Sequence, residues 1–75
     1  MPTIHRFARC KIAIYANDHF PPHFHFEGRG FRAVVEIETM RVLAGSVAKA
    51  PEAMAWAREN VASLRAAWVL FNRRA

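Results

Sequence analysis

HFHFEGRGFRAVVEI, residues 23–37, holds two alternating runs on either side of a glycine-flanked arginine. In the second run, Phe31, Ala33, Val35 and Ile37 share one face, and Arg32, Val34 and Glu36 the other. Side chains two apart point the same way only on a strand, and the β-branched content supports that reading. His23 to Glu27 keeps the same period, with His23 and His25 on one side and Phe24 and Phe26 on the other. Gly28 and Gly30 mark a turn between the runs. The stretch therefore predicts two antiparallel strands with phenylalanines inward.

The segments before it have the same character. Cys10 to Tyr15 alternates, with Cys10, Ile12 and Ile14 opposite Lys11, Ala13 and Tyr15. Thr3 to Phe7 is a further strand, joined to it through Ala8–Arg9. Asn17, Asp18, Pro21 and Pro22 read as a loop stiffened by its prolines. Met40 to Leu43 adds a short edge strand before Gly45. After that the period changes. Pro51 and Glu52 suit a helix start, and Trp56, Ala57, Val61, Leu64, Trp68 and Phe71 recur at helical spacings. Arg73 and Arg74 suit its C-terminus. The expectation is an α+β domain over residues 1–75. Residues 1–45 give a small, mostly antiparallel sheet of four or five short strands, and residues 51–73 one long amphipathic helix packed on one face. About 23 residues span about 34 Å at about 1.5 Å per residue. Strands of five to seven residues cover only about 16–24 Å. The helix is thus expected to overhang the sheet, where Trp68 and Phe71 either form an interface or are covered by the sheet's twist and the N-terminal segment.

Composition bounds the function. Seventy-five residues make one domain, and 53% of them are hydrophobic. So short a chain buries only about 60–65% of its unfolded surface. A homo-oligomer (a dimer being the simplest) or a cognate small partner protein is therefore expected to cover the rest. Cys10 is the single cysteine, so no internal disulfide forms, and its apolar strand predicts an inert thiol. No secretory apolar segment opens the chain and no apolar run reaches the roughly 20 residues of a membrane span, so the expected location is cytoplasmic. Eleven Lys and Arg against six Asp and Glu give a net charge of +5 and a basic pI. Only two of the eleven are lysine, and arginine suits bidentate contact with phosphate or carboxylate. A nucleic acid or an acidic partner fits that balance.

The stretch just upstream runs into the strand that begins at His23. NDHFPPHFHF, residues 17–26, concentrates three of the four histidines and three of the six phenylalanines. His23 and His25 share a face, expected to be exposed or at a rim, while His19 and Asp18 approach from the loop. Three chemistries fit. Three imidazoles and a carboxylate (His19, His23, His25 and Asp18) are a ligand set for a divalent metal such as zinc. The same histidines with Arg29 or Arg32 are candidate general acid–base groups on a phosphodiester. Asp18, His19, Phe20, His23, His25, Arg29 and Arg32 also make a recognition patch without catalysis, in which Phe20 or Tyr15 stacks a base. Alternatively Asn17 and Asp18 cap the turn and the imidazoles bond their neighbours, a purely structural outcome. His5, alone on the first strand, is expected to be structural. Ser46 and Ser63 have no base beside them.

Met1, Pro2, Thr3 and Ile4, then Ile12, Ile14, Tyr15, Asn17, Asp18, His19, Pro21, Pro22, His23 and His25, resemble the pattern MPTI…I.IY.NDH.PPH.H of the small bacterial and archaeal domain-of-unknown-function family DUF4160. The resemblance runs over essentially the whole chain, and Phe20 and Phe24 fill variable positions. It implies that Asp18, His19, His23 and His25 act as a unit, and it supplies no reaction. It also implies a gene neighbourhood similar to a toxin–antitoxin pair. The reading is a small prokaryotic component of such a two-protein module, binding a partner protein or nucleic acid through a His/Arg/Phe patch. The alternative is a small ribonuclease toxin using His19, His23 and His25, with or without a metal.

Overall fold

Phe24 and Phe26 lie at the centre of the molecule, fully buried, on the middle strand of a five-stranded antiparallel sheet. A computed structural model describes residues 3–16 and 18–72 of the chain. The strands are β1 (Thr3–Arg6), β2 (Cys10–Ala13), β3 (His23–Gly28), β4 (Phe31–Glu36) and β5 (Val42–Gly45), and they pair in chain order as a meander. The β3–β4 hairpin pairs His23 with Glu36 through to Gly28 with Phe31 without a slip. Its turn needs the positive φ of Gly30 (81°), which a side chain would resist. The edge strand β5 depends on Gly45 in the same way. Its φ is 76°, and a Cβ there would collide with the carbonyl oxygen of Arg32 on β4.

The expected inward face is the core. Ile12, Ile14, Phe24, Phe26, Ala33, Val35 and Ile37 are buried together on it. Fully burying each of the larger side chains stabilises by about 1.5–3 kcal/mol. The helical segment closes over them, but as two helices. These are α1 (Pro51–Glu59) and α2 (Val61–Phe71), so the expectation of one uninterrupted helix is corrected at Asn60. The Asn60 side-chain amide donates to the Trp56 carbonyl (2.8 Å) and its backbone N–H to Ala57 (3.1 Å). Its own carbonyl accepts from the Leu64 N–H at 3.0 Å, starting the second helix. An asparagine amide competes with the backbone for helical carbonyls, and here it ends α1. Buried Ala53, Met54 and Ala57 face the sheet from α1, and Leu64 and Trp68 from α2.

The reading of Trp68 and Phe71 as an interface is corrected as well. Trp68, expected at an interface, is 4% exposed in the chain's own core, and Phe71 packs partly buried against that core. Val69 and Leu70 are the large apolar residues α2 leaves exposed. Met1, Pro2, Asn17, Arg73 and Arg74 lie outside the described residues. Among the described residues no helix is long and apolar enough to cross a membrane.

Candidate functional site

Three histidines gather around one carboxylate at the N-terminal end of β3. Asp18 Oδ2 lies 2.8 Å from His23 Nε2 and 3.5 Å from His25 Nε2. Asp18 Oδ1 accepts the His19 backbone N–H at 3.0 Å and lies 3.2 Å from His19 Nδ1. The second ring nitrogen of His23, Nδ1, is 2.7 Å from the Pro21 carbonyl oxygen. The His23 and His25 rings meet edge to face, with centroids 5.1 Å apart. The alternation of β3 thus brings the pair together as expected, on the face opposite Phe24 and Phe26.

The loop that carries Asp18 is fastened from the far end of the chain. Asn72, just past α2, accepts the Asp18 backbone N–H on Oδ1 (2.6 Å) and donates from Nδ2 to the Tyr15 carbonyl (3.1 Å). One side chain therefore fixes both sides of the bend between β2 and the prolines. The Phe20–Pro21 peptide bond in this loop is cis. Trp68 walls the cluster from α2, its ring 5.1 Å from that of His23. Tyr15 packs edge-on against His25, with centroids 4.9 Å apart, and its hydroxyl donates to Glu27.

These contacts set the local electrostatics. Burial alone would raise the Asp18 carboxyl. The His19 backbone N–H and the neighbouring His23 and His25 imidazoles outweigh it and hold the group below its ordinary value. The hydrogen bond to Glu27 raises the Tyr15 phenol, burial and the Glu27 charge add to this, and Arg32 opposes it. Burial, then Glu52, raises the half-buried Cys10 thiol, which keeps it protonated and unreactive near neutrality.

Two expectations about the site are corrected. His23 is not on an exposed face: it is 5% exposed, with the Trp68 ring packed against its own. Nor do the arginines join the histidines in one patch. Arg29 sits in the β3–β4 turn and Arg32 pairs across from Glu27. Five residues of strand separate that turn from His23, about 17 Å. Phe20 does stand at the histidine end, 71% exposed, against the edge of Trp68. His19, with an 89% exposed side chain, is the outermost member of the cluster. His5 stacks on Trp56 at 4.6 Å, a packing role as expected.

At the arginine end lies a second feature. Arg6, Arg9, Lys11, Arg29 and Lys49 line an open groove with Phe7 and Phe31, closed on one side by the start of α1. The Glu27 carboxylate there is engaged by Tyr15 and by Lys11 at 3.6 Å. Sequence reasoning did not assemble this groove, because its bases come from three separate segments. A meander returns alternate turns to the same end of the sheet, so Arg9 and Arg29 were placeable once the strand order was assumed. Asn72 carried no signal beyond following the last helical turn.

A meander sheet backed by two short helices, with an Asp–His–His cluster at one end and a basic groove at the other, defines the class of protein. The chain belongs to the family described as Domain of unknown function (DUF4160), whose model matches residues 10–69. No curated protein and no solved structure matches it.

Proposed function

We propose that this chain is the binding component of a two-protein module of toxin–antitoxin type, and that it holds a nucleic-acid backbone in its basic groove. The observation that carries the reading is the convergence of Arg6, Arg9, Lys11, Arg29 and Lys49 on one open surface. Arginine forks match phosphate oxygens, and Phe7 and Phe31 give the groove apolar floor beside the charge. Among the described residues none of Arg6, Arg9, Arg29 and Lys49 is paired with a carboxylate. The module itself rests on what the family resemblance implies, a gene arrangement similar to a toxin–antitoxin pair. In this reading a second copy or a cognate small protein covers Val69 and Leu70, which α2 leaves exposed.

Binding is preferred to cleavage on the state of the histidines. His23 is buried with both ring nitrogens engaged, which suits a fixed element better than a proton shuttle. The test is fluorescence anisotropy with mixed-sequence single-stranded RNA and duplex DNA across a salt series. The expected affinity falls with salt. Arg9→Ala/Arg29→Ala reduces the log–log slope by about 0.7 on RNA, or about 0.9 on DNA, for each phosphate that the variant no longer neutralises. No binding at low salt, or a double variant that binds as the parent does, overturns the groove. Growth on expression alone, compared with growth beside the product of the adjacent reading frame, tests the module.

A further inference from the structure

We propose that Asp18, His23 and His25 form a site for one divalent transition-metal ion of the zinc class. Each offers one ligand atom, and these atoms all lie within 4.8 Å of one another. Bonds of about 2.0–2.2 Å put neighbouring donors of a tetrahedral zinc site roughly 3.3 Å apart. The 2.8 and 3.5 Å separations from Asp18 Oδ2 to the two imidazole nitrogens bracket that spacing.

The orientation of His23 is the stronger argument. Its Nδ1 faces the Pro21 carbonyl oxygen and its Nε2 faces the Asp18 carboxylate, so both ring nitrogens look at acceptors. A neutral imidazole carries one N–H. Placed on Nδ1, that hydrogen satisfies Pro21 and leaves the Nε2 lone pair aimed at the carboxylate. His25 presents its Nε2 to the same oxygen. His25 meets that oxygen as its neutral Nε2–H tautomer, whereas His23 does so only by taking up a second proton; a dication between the three groups satisfies the His23 lone pair and the carboxylate without one. A ligating histidine whose other nitrogen donates to a backbone carbonyl is the usual support of a metal site.

The donor set selects the ion. Two imidazoles and one carboxylate favour zinc and its neighbours over magnesium or calcium, which take oxygen ligands. Three protein ligands leave a fourth position, and the solvent side of the cluster is where His19 stands, its side chain 89% exposed. The fourth ligand is then water or a swung-in His19. The site lies at the opposite end of β3 from the basic groove, so its failure and the failure of nucleic-acid binding are separate results.

The experiment uses full-length protein without a polyhistidine tag, stripped with a chelator and titrated with zinc chloride by calorimetry, with a thermal melt in parallel. The expected result is about one equivalent per chain and, at about 100 times Kd, a Tm raised by roughly 10 °C or more. Magnesium chloride leaves Tm unchanged. His25→Gln, chosen because its ring is only partly buried, weakens zinc binding at least tenfold, and so does Asp18→Asn; His5→Gln does not. A folded parent protein that takes up less than about a tenth of an equivalent overturns the site. Equal zinc binding by His25→Gln and Asp18→Asn, each shown folded by circular dichroism, overturns it too by placing the ion elsewhere.

Discussion

Tyr15 is the only tyrosine of the chain, so its ionisation can be followed in the tyrosinate absorbance without interference. Its hydroxyl donates to Glu27, a bond that exists only while the phenol is protonated, and this raises its pKa above the ordinary value of about 10. The folded state therefore binds this proton more tightly than the unfolded chain. The stability it contributes is fully present below the ordinary phenol value and is lost as pH rises through the raised one. Glu27→Ala should lower the absorbance midpoint; a midpoint that stays put shows the hydrogen bond to be without effect. Asp18 has the opposite sign. Its carboxyl is held down, so the stability it adds is present above the ordinary aspartate value of about 3.9 and is lost as pH falls through the lower folded value. In urea melts at successive pH values, the parent should lose stability more steeply than Asp18→Asn in that acid range, and parallel slopes would count against the assignment. At this scale the pairing of His23 with His25 was legible, since alternation puts residues two apart on one face. The burial of His23 was not, because Trp68, which packs against it, lies 45 positions away and no local pattern links the two.

The strands were legible as elements because burial alternates along Phe31–Glu36 and the same period runs through Cys10 and Ile12, although Ala13, on the opposite face, is buried too. The helix break was not, and the reason is specific. Asn60 falls off the apolar stripe, so Trp56, Val61, Leu64 and Trp68 continue in phase around it. Only its side-chain hydrogen bond to the Trp56 carbonyl (2.8 Å) distinguishes it from any other polar residue off the stripe. Alanine is the better helix former, so propensity alone predicts that Asn60→Ala would fuse α1 and α2 and stabilise the protein. The packing predicts the reverse. A continuous helix would reorient Leu64 and Trp68, both buried, away from their present contacts. Asn60→Ala is expected to cost about 1 kcal/mol in urea unfolding with no gain in helical circular dichroism. Greater stability together with greater helicity would show that the break follows from nothing more than a poor helix former. Gly45 on β5 is the sharper test of the sheet edge. Gly45→Ala combines a positive φ with a collision against the Arg32 carbonyl, and should destabilise well beyond the roughly 1 kcal/mol of an ordinary Gly-to-Ala strain.

The Asp18 loop and the end of α2 are 54 residues apart in sequence and meet through one asparagine, so the site belongs to the whole fold and not to its motif. Asn72 accepts the Asp18 N–H and donates to the Tyr15 and Trp68 carbonyls, tying the β2–β3 connection to the last turn of α2. Asn72→Ala removes all three bonds and leaves the loop amide to find water. The expected cost is about 1–3 kcal/mol, a large part of the total for a domain whose stability is of order 0.05–0.15 kcal/mol per residue. A general loss of stability would not by itself show that Asn72 positions the loop. Amide hydrogen exchange separates the two effects. If Asn72 fastens Asp18, exchange at the Asp18 N–H rises far more than at Phe24 or Phe26, whose amides open only with the central strand. Exchange that rises equally at all three sites would mean that Asn72 merely stabilises α2, with Asp18 held by its histidines. Chain closure of this kind also predicts that Trp fluorescence, which reports both helices through Trp56 and Trp68, melts at the same urea concentration as far-UV circular dichroism. An earlier fluorescence transition would mean that α2 lifts away first, dismantling the carboxylate–imidazole cluster while the sheet persists.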